Sequence, residues 1–172
     1  LVAGGGVLYS EAGAALAAFA DAHGIPVAET QAGKGSLAWD HPLNLGAIGV
    51  TGSPAANDHA RGADLVIGVG TRLQDFTTGS HALFPQARLL ALNVQAFDAH
   101  KWHAEPLVCD ARAGLAALAA GMQGWQADEL WTAAARRAAA HWNARVTALT
   151  TTPQPGVLPY DADVIGAVRD SA

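Results

Sequence analysis

The apolar residues Leu1-Val2-Ala3 run straight into Gly4-Gly5-Gly6-Val7. A strand ending in a glycine turn before a helix can bring backbone N–H groups up to a phosphate, so this turn is the first candidate for anion or dinucleotide binding. Gly4 and Gly6 supply the first two glycines of G-x-G-x-x-G, but Tyr9 stands at the third. That third glycine normally lets the helix pack closely on the strand, so the fingerprint is incomplete. Glu29 ends the next apolar run, about where the ribose-binding acid of a dinucleotide site would stand. Its other reading is a carboxylate turned into the following loop. A second candidate is Gly70-Thr71-Arg72, directly after the apolar run Leu65–Val69. Arg72 there can fork onto a phosphate or carboxylate, or pair with Asp75 and fix the loop. Lys34, between Gly33 and Gly35, can reach an anionic group from a flexible loop, or be solvated.

Other chemistries find little support. The histidines His23, His41, His59, His81, His100, His103 and His141 form neither H-x-x-x-H nor H-E-x-x-H and read as surface or loop residues. There is no G-x-S-x-G, no Walker Lys-Ser/Thr pair and no acidic cluster for a metal. Cys109 sits in an apolar run and reads as a small buried hydrophobe.

The elements that must position these residues alternate. Strands are expected at the first residues, at Ile25–Ala28, Asp64–Val69, Arg88–Val94 and Leu107–Cys109. Ser10 is expected to cap a helix from Glu11 that closes at His23-Gly24. Glu29 to Gly52 reads mostly as loop. Ser53-Pro54 caps a helix ending near Gly62, and Asp110 caps one over Ala111–Gly121. This alternation implies an α/β fold: a doubly wound, mostly parallel, about six-stranded Rossmann-like sheet with helices on both faces. A long Ala-rich helix follows from Asp128, with Leu130, Ala134, Ala138 and Trp142 near one face. The expected organisation is a domain over 1–124, a helical extension over 125–149, a Pro-rich linker over 150–159 and the start of another domain over 160–172.

Composition agrees. Among 172 residues, 51% are hydrophobic and 15% charged, which suits a buried α/β core. The net charge of −5 is scattered, so no basic face for nucleic acid stands out, and no apolar run reaches membrane-spanning length. One cysteine excludes an intramolecular disulfide and suits a reducing compartment; the expectation is a soluble, cytoplasmic protein.

Longer motifs add a resemblance. Ala3-Gly4-Gly5-Gly6-Val7-Leu8-Tyr9-Ser10, Glu29-Thr30-Gln31-Ala32-Gly33-Lys34-Gly35-Ser36, Trp39-Asp40-His41-Pro42-Leu43-Asn44-Leu45-Gly46, Val69-Gly70-Thr71-Arg72-Leu73-Gln74-Asp75-Phe76-Thr77-Thr78-Gly79-Ser80 and Asn93-Val94-Gln95-Ala96-Phe97-Asp98-Ala99-His100-Lys101 come in an order that resembles the central domain of thiamine-diphosphate-dependent enzymes. The resemblance covers residues 1 to 121 well and the rest loosely. It implies a longer, oligomeric polypeptide (a dimer or tetramer) of three α/β domains. Thiamine diphosphate and Mg²⁺ are then held by the two outer domains, so no catalytic residue and no metal ligand is expected in this chain. Tyr160–Ala172 resembles the start of the third domain. The implied activity of the whole is hydrolysis of a C–C bond in a cyclic 1,2-dione of inositol catabolism, with the chain alone inactive and architectural.

In relatives that carry FAD or ADP, the central domain binds that nucleotide. The matching positions here are Gly4, Gly5, Gly6, Gly70, Thr71, Arg72 and Asn93, although the relatives usually have an acid where this chain has Asn93 or Gln95. An amide is a weaker partner for ribose hydroxyls, so the site is expected to be vestigial or structural. The alternative function is a nucleotide-binding module of an acetolactate synthase-like lyase. Gln31, Lys34 and His41, on the long glycine-rich loop, are the residues expected nearest the substrate.

Overall fold

A computed structural model describes residues 1–150 and 158–171, and the structural statements below concern those residues. Six parallel strands form one sheet in the order β3-β2-β1-β4-β5-β6. They are β1 (Val2–Ala3), β2 (Val27–Glu29), β3 (Asn44–Ala47), β4 (Leu65–Val69), β5 (Arg88–Asn93) and β6 (Glu105–Val108). The doubly wound class expected from the sequence is thus observed. The helices between them are α1 (Gly5–Tyr9), α2 (Gly13–His23), α3 (Pro54–Gly62), α4 (Asp75–Thr78), α5 (Ala96–Ala99) and α6 (Ala111–Gly121); α7 (Glu129–Thr150) and α8 (Asp161–Ser171) follow.

The longest register joins β4 to β5, from Leu65 opposite Arg88 to Val69 opposite Leu92. Their inner residues, Val66–Val69 and Leu89–Leu92, are apolar because a parallel strand is covered on both faces. Val27, Ile67, Val69 and Leu92 are buried with Leu16 and Phe19 of α2 and Leu115 of α6. Two caps behave as the sequence predicts. The Ser53 hydroxyl accepts from Ala56 N–H ahead of Pro54, and the Asp110 carboxylate accepts from the N–H groups of Arg112 and Ala113.

Several local expectations need correction. No helix starts at Glu11. The glycine turn itself becomes α1, Ser10 closes it, Glu11 takes φ of 48°, and α2 begins afresh at Gly13. Ser10 instead hydrogen-bonds the Asp110 side chain, which with the Ala113 N–H holds that carboxyl below its usual range. The segment expected to be loop contains β3, which pairs with β2 and supplies the sixth strand. Cys109 lies just past β6 and is only partly buried; burial and the Asp110 charge push its thiol up. His23 is no surface residue: it is buried, with Nδ1 2.8 Å from the Trp125 carbonyl oxygen.

The compact unit Leu1–Ala139 includes the first half of α7. The packed face there is Thr132, Ala135 and Ala139; of the residues noted near one face of this helix, Leu130 is 79% exposed. Small residues allow close approach, and the Thr132 hydroxyl donates to the Gly24 carbonyl at 2.7 Å, capping the end of α2. The second unit, Ala140–Ala172, contains the rest of α7 and α8. Within it Arg169 donates to the Thr150 hydroxyl at 2.9 Å. Most of the expected linker, residues 151–157, lies outside the described residues.

Candidate functional site

In an open α/β sheet of this strand order, ligands sit where the order reverses, beyond the carboxyl ends of the central strands. Here that point lies between β1 and β4, and it brings together the glycine turn and the Gly70 loop. The two turns lie backbone to backbone. Gly4 N–H donates to the Val69 carbonyl and Gly6 N–H to the Gly70 carbonyl, both at 2.9 Å. A Cβ on Gly4 would fall 2.3 Å from the Gly70 oxygen, and one on Gly6 would fall 2.6 Å from the Gly70 Cα. The glycines therefore permit this close approach. Two of the N–H groups that a phosphate would need are already bonded, and α1, with five residues, is a short source of dipole.

The remaining matched positions extend the same corner. Thr71 is buried, and its hydroxyl accepts from Leu73 N–H at 3.2 Å. The Asn93 side chain donates to the Thr71 carbonyl at 3.0 Å and accepts from Gln95 N–H at 3.0 Å, tying the end of β5 to the β4 loop. An acid in place of Asn93 could not make the first of these bonds. Gly5 packs on Ala32 instead of on the Gly70 loop. Arg72 is exposed and makes no ion pair with Asp75 or any other described residue.

Glu29 is completely buried. Its Oε1 accepts from Gly35 N–H at 3.0 Å and Leu37 N–H at 3.1 Å, while Asn44 approaches Oε2 at 3.5 Å. Of the two readings of Glu29, the geometry matches the carboxylate turned into its loop. Lys34 lies 3.8 Å from Glu29 Oε2 and is two-thirds exposed, so the pair is weak. Gln31 is exposed on the 3₁₀ turn Gln31–Gly33, beside the β1 turn. His41 is engaged elsewhere. Its Nδ1 accepts from Leu43 N–H, which leaves the ring proton on Nε2, 3.4 Å from the Asp21 carboxylate of α2.

Sequence reasoning missed Asn44, which also donates to the carbonyls of Leu37 and Ala38, and Thr30, whose hydroxyl accepts from Gly33 N–H. The Asn in Leu43-Asn44-Leu45 was the available signal: a polar residue inside a short apolar run is satisfied when buried. Among the described residues no group of three or more His, Cys, Asp or Glu side chains could hold a metal ion. No described helix is long and apolar enough to cross a membrane. With Gly4 and Gly6 N–H engaged by the Gly70 turn, the glycine corner offers few donors to a diphosphate.

The sheet order and the glycine corner define a doubly wound α/β domain whose switch point is closed by its own backbone. The family model described as "Thiamine pyrophosphate enzyme, central domain" matches residues 1–118, and the chain belongs to that family. Curated relatives agree. The chain is 59% identical over 119 residues, 69% of its length, to the 3D-(3,5/4)-trihydroxycyclohexane-1,2-dione hydrolase of Geobacillus thermodenitrificans. It is 54% identical over 114 residues (65% of the chain) to the protein of that name in Clostridium perfringens. With that in Clostridium tetani it shares 47% over 132 residues, or 74% of the chain. The matches cover 19%, 18% and 20% of those relatives, so the chain spans about a fifth of their length.

Proposed function

We propose that this chain is the central domain of a thiamine-diphosphate- and Mg²⁺-dependent hydrolase that cleaves a C–C bond of a cyclic 1,2-dione in inositol catabolism. The observation that carries this reading is the 59% identity to a hydrolase of that printed name. The whole protein is then a cytoplasmic homo-oligomer in which cofactor and metal are held by the polypeptide's other two domains. The role of this domain is architectural. Its closed switch point supports that role, because residues engaged with one another hold two turns in fixed positions and leave the nucleotide corner vestigial. Gln31 and Lys34 are the exposed groups of the loop proposed to approach the substrate.

The test compares the 172-residue chain with the longer polypeptide that carries it, each given thiamine diphosphate, Mg²⁺ and the trihydroxycyclohexanedione. Ring opening releases an acid and is followed by continuous titration. Turnover is expected from the longer protein alone. Turnover by the short chain, or none by a folded, cofactor-loaded longer protein, overturns the reading.

A further inference from the structure

Among the described residues, backbone strain is concentrated in the segments around Ser80 and Trp102 and at Leu73, which Trp102 touches. Six non-glycine residues among those described have φ in the left-handed region. Five of them converge on one place: Leu73, Ser80, His81, Trp102 and His103, with φ of 44°, 52°, 71°, 61° and 55°. The left-handed conformation costs roughly 1–2 kcal/mol per non-glycine residue, and a bulky Trp is an unusual occupant. Contacts hold the conformation. Trp102 Nε1–H donates to the Leu73 carbonyl at 3.1 Å, and the rings of Trp102 and His81 meet edge to face with centroids 3.6 Å apart. Such strain persists where surrounding structure over-determines it, and it clusters at ligand clamps.

The two strained segments wall a cleft of about 470 Å³. Its lining includes His81, Phe84, Arg88, Trp102, His103 and Glu105. His81 Nε2 is buried with no hydrogen-bond partner. An unsatisfied buried nitrogen costs roughly 1–3 kcal/mol, and a π contact with Trp102 would replace only part of that. Arg88 forms no side-chain hydrogen bond or ion pair with any described residue, so its guanidinium is open to a bidentate partner. Trp102, with Phe84, adds apolar surface to the lining. The single carboxylate of the lining, Glu105, repels a bound anion more strongly the higher its charge.

We propose that this cleft binds a small organic carboxylate carried on a flat apolar body. Arg88 takes the carboxylate, and the ring of the ligand lies against Trp102, beside the His81 ring that Trp102 touches. The site is separate from the closed switch point and does not depend on the hydrolase reading.

The probes are benzoate, acetate and phenyl phosphate, titrated into the 172-residue chain. Binding is read from the histidine ring ¹H–¹⁵N resonances. Benzoate is expected to move the His81 Nε2 resonance saturably, acetate to bind at least about tenfold more weakly, and phenyl phosphate to bind more weakly than benzoate. Arg88→Ala, with its fold checked by near-UV circular dichroism, is expected to weaken benzoate at least about fivefold; Arg88→Gln replaces it if the Ala variant is unfolded. The proposal falls if benzoate leaves His81 unmoved, if acetate binds as tightly as benzoate, or if loss of the guanidinium changes nothing. Tighter binding of phenyl phosphate overturns the carboxylate assignment.

Discussion

At the carboxyl ends of β4 and β5 the buried side chains of Thr71 and Asn93 meet partners from the same chain and the exposed Arg72 is unpaired, whereas the cleft between the Ser80 and Trp102 segments holds a buried imidazole nitrogen with no partner beside the open guanidinium of Arg88. The first region uses glycine to let two turns touch, as at Gly4, Gly6 and Gly70. The second forces Ser, His and Trp into the backbone conformation that glycine prefers. Close-packed, mutually satisfied groups make a fixed joint. Strain maintained without internal satisfaction leaves interaction capacity for something else. The lesson is that the switch point of a doubly wound sheet need not be where its unsatisfied groups lie.

Gly70→Ala breaks the comparison most severely. The new Cβ would lie 2.6 Å from Gly6 Cα and 2.9 Å from Val7 N, at a residue with φ of 59°. Left-handed strain of roughly 1–2 kcal/mol adds to overpacking of roughly 1–3 kcal/mol, so a loss of about 3 kcal/mol is expected in urea unfolding. Gly121→Ala is the control: nothing lies within 4 Å there, and helix propensity predicts a gain of up to about 1 kcal/mol. Similar behaviour of the two variants would show that the turns are not locked together.

The sequence made some of this legible. Continuous apolar runs located β4 and β5, and the caps at Ser53 and Asp110 located α3 and α6, because these signals are local. β3 was hidden because Asn44-Leu45-Gly46-Ala47 is short and lies in a glycine-rich stretch, and only pairing with β2 makes it a strand. The glycine turn was found, but a glycine reports that something approaches closely without saying what. A phosphate was one candidate partner, and the Gly70 backbone is the observed one. The cleft had no signal in residue types, since its distinguishing property is the backbone conformation of residues that rarely adopt it. On α7 the grouping of Leu130, Ala134, Ala138 and Trp142 near one face did not mark the packed side, where close approach selected Thr132, Ala135 and Ala139.

Glu29→Gln sharpens the description of the satisfied region. The substitution keeps the volume but removes the charge from an acceptor of two backbone N–H groups and places an amide nitrogen near Asn44. A loss of about 1–2 kcal/mol is expected. The local readout is amide hydrogen exchange, which should accelerate at Gly35 and Leu37 ahead of the rest of the domain. Unchanged exchange at both positions would mean that the carboxylate does not hold the loop.

Ser80→Gly probes the other side of the comparison and has the smallest effect, but its sign is decisive. Ser80 is exposed and adopts φ of 52°, between Gly79 at 57° and His81 at 71°. Its hydroxyl makes no hydrogen bond with a described residue, so its removal sacrifices no internal contact. Glycine adopts this φ freely in the folded chain but adds conformational entropy to the unfolded one. Strain relief of roughly 1–2 kcal/mol against a glycine penalty of roughly 0.5–1 kcal/mol predicts a net gain of about 0.5 kcal/mol, read as a small rise in the urea midpoint. A clear loss of stability would show that Ser80 is not strained, and the contrast between a relaxed corner and a strained cleft would then rest on His81, Trp102 and His103 alone.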